Sequence, residues 1–101
     1  MAELIYDPKD PSYWRVLGTI DYDSVVNLTE KGYQLLKNSG IKNAIIDFSG
    51  LMHFNSAILS MILCWYRFGL SLNIHLAFKA LPVLAYKMAE TYGLKFLWEE
   101  R

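Results

Sequence analysis

An aspartate, a histidine and a serine fall close together in "DFSGLMHFNS", as Asp47, His53 and Ser56. These are the residue types of acyl transfer, in which an imidazole takes the hydroxyl proton and a carboxylate orients the imidazole. Geometry rather than presence makes such a triad, and nothing in this spacing recommends one. Other chemistry is no better supplied. The six glycines are isolated, and neither GxxxxGK[ST] nor GxGxxG occurs, so no phosphate-cradling loop is expected. His53 and His75 are far apart, and the single cysteine, Cys64, provides no ligand pair for a metal. The expectation is a protein without enzymatic activity, cofactor or metal.

What remains is contact. In "HFNSAILS" (53–60), the polar pair Asn55–Ser56 stands directly before an apolar segment. Two readings are open: one of these residues only caps a helix, or the serine sits where a partner protein reads it. The helix expected over Ser56–Phe68 has ten apolar residues among thirteen. Ile58, Leu59, Met61, Ile62, Leu63, Trp65, Tyr66 and Phe68 cannot all face one sheet. Either neighbouring elements sandwich this helix, or part of it is covered by another protein. The loop before it leaves an apolar strand and enters a helix N-terminus. Sites gather at that end of open α/β sheets, and a phosphate on Ser56 would be favoured there.

The elements that must hold this loop follow from periodicity and punctuation. Residues 3–6 and 13–18 read as two strands separated by a "DPKDPS" turn or loop (7–12). A helix over Val25–Lys37, capped by Asp23 or Ser24, places Val25, Leu28, Gly32, Leu35 and Leu36 on one face. Gly32 there suggests close packing on a sheet. Residues 43–48, "NAIIDF", look like a central strand covered on both sides, with 49–54 as the loop after it. Gly69 follows the second helix, and 72–78 is another strand. Pro82 opens and Gly93 closes a third helix, with a stripe of Leu81, Leu84, Ala85, Met88 and Tyr92. Residues 95–98 read as a last strand. The order is β-β-α-β-α-β-α-β: an α/β fold with a mixed sheet of four to five strands and helices packed on it. Ala44, Ile45, Ile46, Leu63, Ile74 and Leu76 are the expected core, and Cys64 reads as a small core residue.

Composition narrows the partner. The chain has 101 residues, which fits a single domain over 1–101, and 53% of them are hydrophobic. Lys plus Arg and Asp plus Glu number ten each, and the basic residues are scattered, so no nucleic-acid footprint is present. "MAELIYDPKDPSYW" does not read as a signal peptide, and no apolar stretch is long enough to cross a bilayer. A cytoplasmic protein is expected, with weak self-association left open.

Three pieces carry a family resemblance: "VLGTIDYDS", "AIIDFSGLMHFNSAIL" and "LKFLWEE". Nearly the whole chain resembles a STAS domain, the fold of bacterial anti-sigma-factor antagonists. Such domains read Asp-x-Ser, a short hydrophobic spacer, then Asp-Ser or Asp-Thr before an apolar helix. The resemblance implies that Ser56 takes the place of the regulatory, phosphorylatable residue, and Asn55 that of the acid before it. Asp47 and Ser49 fall on the Asp-x-Ser, and Asp21 and Asp23 on the acidic loop before the first helix. Ala57 and Ser60 continue the same surface. Phospho-switched members carry an acid where this chain has Asn55, and often Ser-Gly where it has Ala57-Ile58. "GTIDYDS" and the compact ends are more similar to the STAS subunits of Mla-type phospholipid ABC transporters. That implies an adaptor bound to the transporter's ATPase, associated with the membrane only through that complex. The alternative it implies is an antagonist that binds an anti-sigma-factor serine kinase and is released by phosphorylation at Ser56.

Overall fold

A computed structural model describes residues 1–97. The chain opens with an antiparallel hairpin, β1 (Ala2–Asp7) and β2 (Asp10–Thr19). Its turn is tighter than the sequence suggests. Only residues 8 and 9 lie outside the strands, and the Asp7 carboxylate accepts the Lys9 N–H at 2.9 Å. Pro11 is accommodated near the start of β2, where its carbonyl accepts the Trp14 indole N–H.

Helix α1 spans Tyr22–Asn38. Its cap is Asp21, ahead of the expected Asp23 or Ser24. Asp21 accepts the Ser24 N–H at 2.8 Å while the Ser24 hydroxyl accepts the Asp21 N–H at 2.9 Å. This reciprocal box satisfies two donors that a helix start otherwise leaves free. The Asp21 carboxyl titrates below the ordinary carboxylate range, chiefly because of the Ser24 N–H.

Strand β3 runs Asn43–His53 and β4 runs His75–Lys79. The sheet order is β1-β2-β3-β4, with β2, β3 and β4 mutually parallel. Residues 49–53, expected as a loop, continue β3. Leu17 pairs with Gly50 and Thr19 with His53 after a register shift, so the long β2 extends its neighbour. Leu17 lies over Gly50: a Cβ there would stand 2.2 Å from a Leu17 methyl, which would have to turn aside.

Helix α2 spans Ala57–Ser71 and α3 Val83–Thr91. Gly69 lies inside α2 rather than after it, where it lets the helix approach Leu76 and the Ile74 carbonyl of the next segment. Asn73, at φ 59°, supplies the left-handed turn that ends the helix. Pro82 is the residue immediately before α3. Residues Lys95–Leu97 form a single 3-10 turn instead of a fifth strand. Leu94 and Leu97, three apart, are the inward residues of this segment, a spacing that suits the tighter helix and not a strand's alternation. Trp98, the last residue of that expected strand, lies outside the described residues.

The buried side chains lie between the sheet and the helices. Ala44, Ile46, Phe48, Leu76 and Phe78 alternate toward them from the sheet, while Ile45 is 40% exposed on the opposite face. The reading of β3 as covered on both sides is therefore corrected, and Ile45 leaves the core list. Leu63 is only half-buried, and Cys64 is exposed. Gly32 packs on another helix and not on the sheet: a Cβ there would stand 2.2 Å from the Trp65 indole nitrogen. That indole is fully buried and donates to the Thr29 carbonyl at 3.1 Å. On α3, Leu81, Ala85 and Ala89 are buried near or on the helix, and Leu84 and Tyr92 of the expected stripe are exposed. Among the described residues, no helix is long and apolar enough to cross a membrane.

Candidate functional site

The apolar character of α2 is explained mostly from within. Trp65 packs against α1, Tyr33 of α1 against Phe68 at 4.8 Å, and Phe96 of the final turn against Tyr66 at 5.6 Å. α2 is the middle helix of three, and its solvent strip is narrow. Ser56, Ser60, Cys64 and Arg67 are exposed along its first three turns, and Leu70 and Ser71 at its end.

That strip forms the raised floor of a trough. On one side a groove of about 640 Å³ is walled by Val25, Val26, Thr29 and Glu30 of α1 and floored by Ala57, Ser60, Met61 and Cys64. On the other, a smaller groove of about 260 Å³ joins Ser56, Leu59, Ser60 and Leu63 to Tyr92 and Leu94. Ser60 borders both. Small side chains along a helix permit a second helix to approach closely. Apolar walls at Val26, 66% exposed, and Tyr92, 66% exposed, are what a protein interface rewards. On the neighbouring turn of α1 the half-buried Tyr33 hydroxyl is pushed up to about 12, chiefly by the Cys64 thiol and by burial.

At the head of the trough, Asn55 and Ser56 divide their roles. The Asn55 side-chain oxygen accepts the Ala57 N–H at 2.9 Å, and its carbonyl accepts the Ile58 N–H. Ser56 precedes the helix in αR conformation and makes no side-chain capping bond. Its exposed hydroxyl is therefore not explained by capping. An uncharged amide at Asn55 does the capping that a carboxylate would do in its place.

The remaining expected site residues are placed elsewhere. Asp21 and Asp23 line another groove on the β1 side of α1, with Met1, Glu3 and Lys31, which adjoins the trough at Asn27. Asp47 and Ser49 lie in mid-β3, and Asp47 is about 20 Å of strand from His53 at typical strand rise. Asp47 is 7% exposed and pairs across the sheet with Arg15 and Lys79. Its carboxylate accepts the Tyr13 hydroxyl at 2.6 Å and the Ser49 N–H at 2.8 Å. Burial pushes the Asp47 carboxyl up, but these two donors and the nearby Lys79 outweigh it, so the group titrates below its ordinary value. Lys79 in turn stands 5.2 Å from the centre of the Tyr13 ring. The structure thus gathers Asn55, Ser56, Ala57 and Ser60 at one place and leaves the three acids, Asp21, Asp23 and Asp47, and Ser49 outside it. Val26, Leu94 and Tyr13 were not singled out from sequence, and Tyr92 was read there only as part of the inward stripe of the third helix. Val26 carried a faint signal, as an apolar residue beside the inward stripe of α1; the other three depend on tertiary neighbours.

No family model matches this chain, and no curated protein matches it in sequence. A solved structure does match. The anti-sigma factor antagonist SpoIIAA in its unphosphorylated form aligns over 100% of this chain and 88% of its own, with TM-score 0.77 and 14% identity. This is the STAS fold. At such low identity the likeness is one of fold alone, and the STAS scaffold here is the four-stranded mixed sheet with three helices described above.

Proposed function

We propose that this STAS-fold chain is a non-enzymatic binding subunit that docks a protein partner in the trough along α2, with Ser56 at its head. The observation that carries this reading is the combination of an exposed, uncapping Ser56 hydroxyl with an apolar-walled, small-residue floor. The trough offers shape and apolar area and gathers no catalytic set of side chains. The partner we infer is the ATPase subunit of an Mla-type phospholipid ABC transporter. Asn55 supports this: without a carboxylate beside Ser56, an added phosphate meets less like-charge repulsion, and the built-in release is weaker. A lasting, partly hydrophobic contact suits the walls at Val26 and Tyr92.

A second reading is an antagonist that binds an anti-sigma-factor serine kinase and is released when Ser56 is phosphorylated. The free, exposed Ser56 hydroxyl favours it, as does the likeness in fold to an anti-sigma factor antagonist. Affinity capture from the source cell, with identification of the captured protein and intact-mass measurement of this chain, separates the two. An ATPase with its permease and an unmodified Ser56 supports the adaptor. A kinase, with a phosphorylated fraction lost in Ser56→Ala, supports the antagonist and overturns the adaptor.

A further inference from the structure

The face of the sheet opposite the helices has no covering layer among the described residues. It presents Ile5, Tyr13 and Ile45, with Ile5 37% and Ile45 40% exposed. Register fixes its pattern. Tyr13, Ile45 and Ala77 form one cross-strand row, and Arg15, Asp47 and Lys79 form the next, with Ile5 beside Arg15. At the β1 edge, Asp7 and Asp10 line a shallow groove with Ile5, Tyr13 and Arg15. The face is therefore acidic at its hairpin edge and basic at the Lys79 end of β4, with the Tyr13–Ile45–Ala77 row and the oppositely charged Arg15 and Asp47 between.

We propose that this face pairs with the same face of a second copy of the chain, forming a weak two-fold dimer that leaves the α2 trough free. A two-fold axis parallel to the strands, between β2 and β3, lays β1 over β4 of the second copy and β2 over its β3. Tyr13 then meets Ile45 of the second copy, and Arg15 meets its Asp47. The acidic edge, Asp7 and Asp10, turns toward its Lys79. Each contact occurs twice, as an isologous interface requires. Sheets pack face to face at about 10 Å with strands near alignment, and this arrangement keeps them so. Four strands spaced about 4.8 Å, of 6, 10, 11 and 5 residues and so about 26 Å long on average, give an area on the order of 500 Å² per copy. That is below the roughly 800 Å² per partner of a stable complex. The dimer is accordingly weak and dependent on concentration, and its charged rows make it weaker in high salt.

Sedimentation equilibrium up to about 1 mM protein reads the association directly. Wild-type protein and Val26→Lys, altered in the trough, are expected to dimerise alike. Ile45→Lys is expected to raise the dimer dissociation constant at least about tenfold, a loss of ~1.4 kcal/mol, with an unchanged unfolding midpoint. Ala77→Lys, in the same exposed row, is expected to do the same and carries the test should Ile45→Lys not fold. A wild-type protein that stays monomeric throughout overturns the proposal. So does a dimer untouched by either sheet variant, or one abolished by Val26→Lys.

Discussion

Ser56 and Asp47 look alike in sequence, as polar residues bordering apolar runs, but their surroundings set them to different tasks. Ser56 is exposed and its hydroxyl supports no cap, because Asn55 already accepts the Ala57 N–H. Ser56→Asp is therefore expected to shift the unfolding free energy by less than about 0.5 kcal/mol, since a carboxylate is tolerated at a helix N-terminus. The same change puts an unpaired charge in a desolvated contact, so it should weaken partner binding. A urea titration and a binding isotherm on the one variant check both halves. A large loss of stability would return Ser56 to a structural role. Asp47 is a sheet residue held by Tyr13 and Ser49. Its folded pKa lies below the unfolded value, which is about 3.9. Its stabilising contribution is thus in place above the unfolded pKa and is lost as pH falls through the folded one. Asp47→Asn, which cannot take up that proton, is expected to lose less stability between about pH 5 and pH 3 than wild type does. Equal losses in urea unfolding at the two pH values would contradict this account of the carboxylate.

At the scale of elements, the helices were more legible than the strands, and the reason is physical. Helical periodicity records which face is buried, and Leu28, Gly32 and Leu36 do lie inward on α1 as their spacing requires. Strand alternation records only that two faces differ. The run "AIIDF" is apolar at Ile45 as well as Ile46, so it reads as covered on both sides, yet no helix lies over Ile45. The identity of what Gly32 touches was likewise invisible, because Trp65 lies 33 positions away in the chain. Two expectations follow from the packing. Ile46→Ala is expected to cost about 2–5 kcal/mol by opening a cavity, and Ile45→Ala about 1 kcal/mol or less. Comparable losses in the two variants, by urea or thermal unfolding, would mean that the exposed face is wrongly placed. Gly32→Ala removes the glycine penalty of about 1 kcal/mol in a helix interior. It also drives a methyl into a buried indole ring that cannot easily move. Overpacking of about 1–3 kcal/mol is expected to win, so this variant should be less stable than wild type, and a gain in stability would contradict the α1–α2 contact.

For the whole molecule, three helices on one side of a four-stranded sheet leave two distinct surfaces: the trough along α2 and the bare sheet face. The Asn55–Ser56 loop could be located from sequence because the residues that form it are contiguous. The trough walls could not, since Val26, Ser60 and Tyr92 meet only after α1 and α3 fold against α2. This division of surfaces predicts that partner binding and self-association respond to different substitutions. The most direct test is the affinity of the captured partner for Val26→Asp, measured beside wild type and Ile45→Lys. Val26 is 66% exposed, so the aspartate should leave the unfolding midpoint where it is. If the trough is the binding site, Val26→Asp weakens the partner by at least about tenfold while Ile45→Lys binds like wild type. An unchanged affinity for Val26→Asp, with the loss appearing in Ile45→Lys, would place the partner on the sheet and contradict the account.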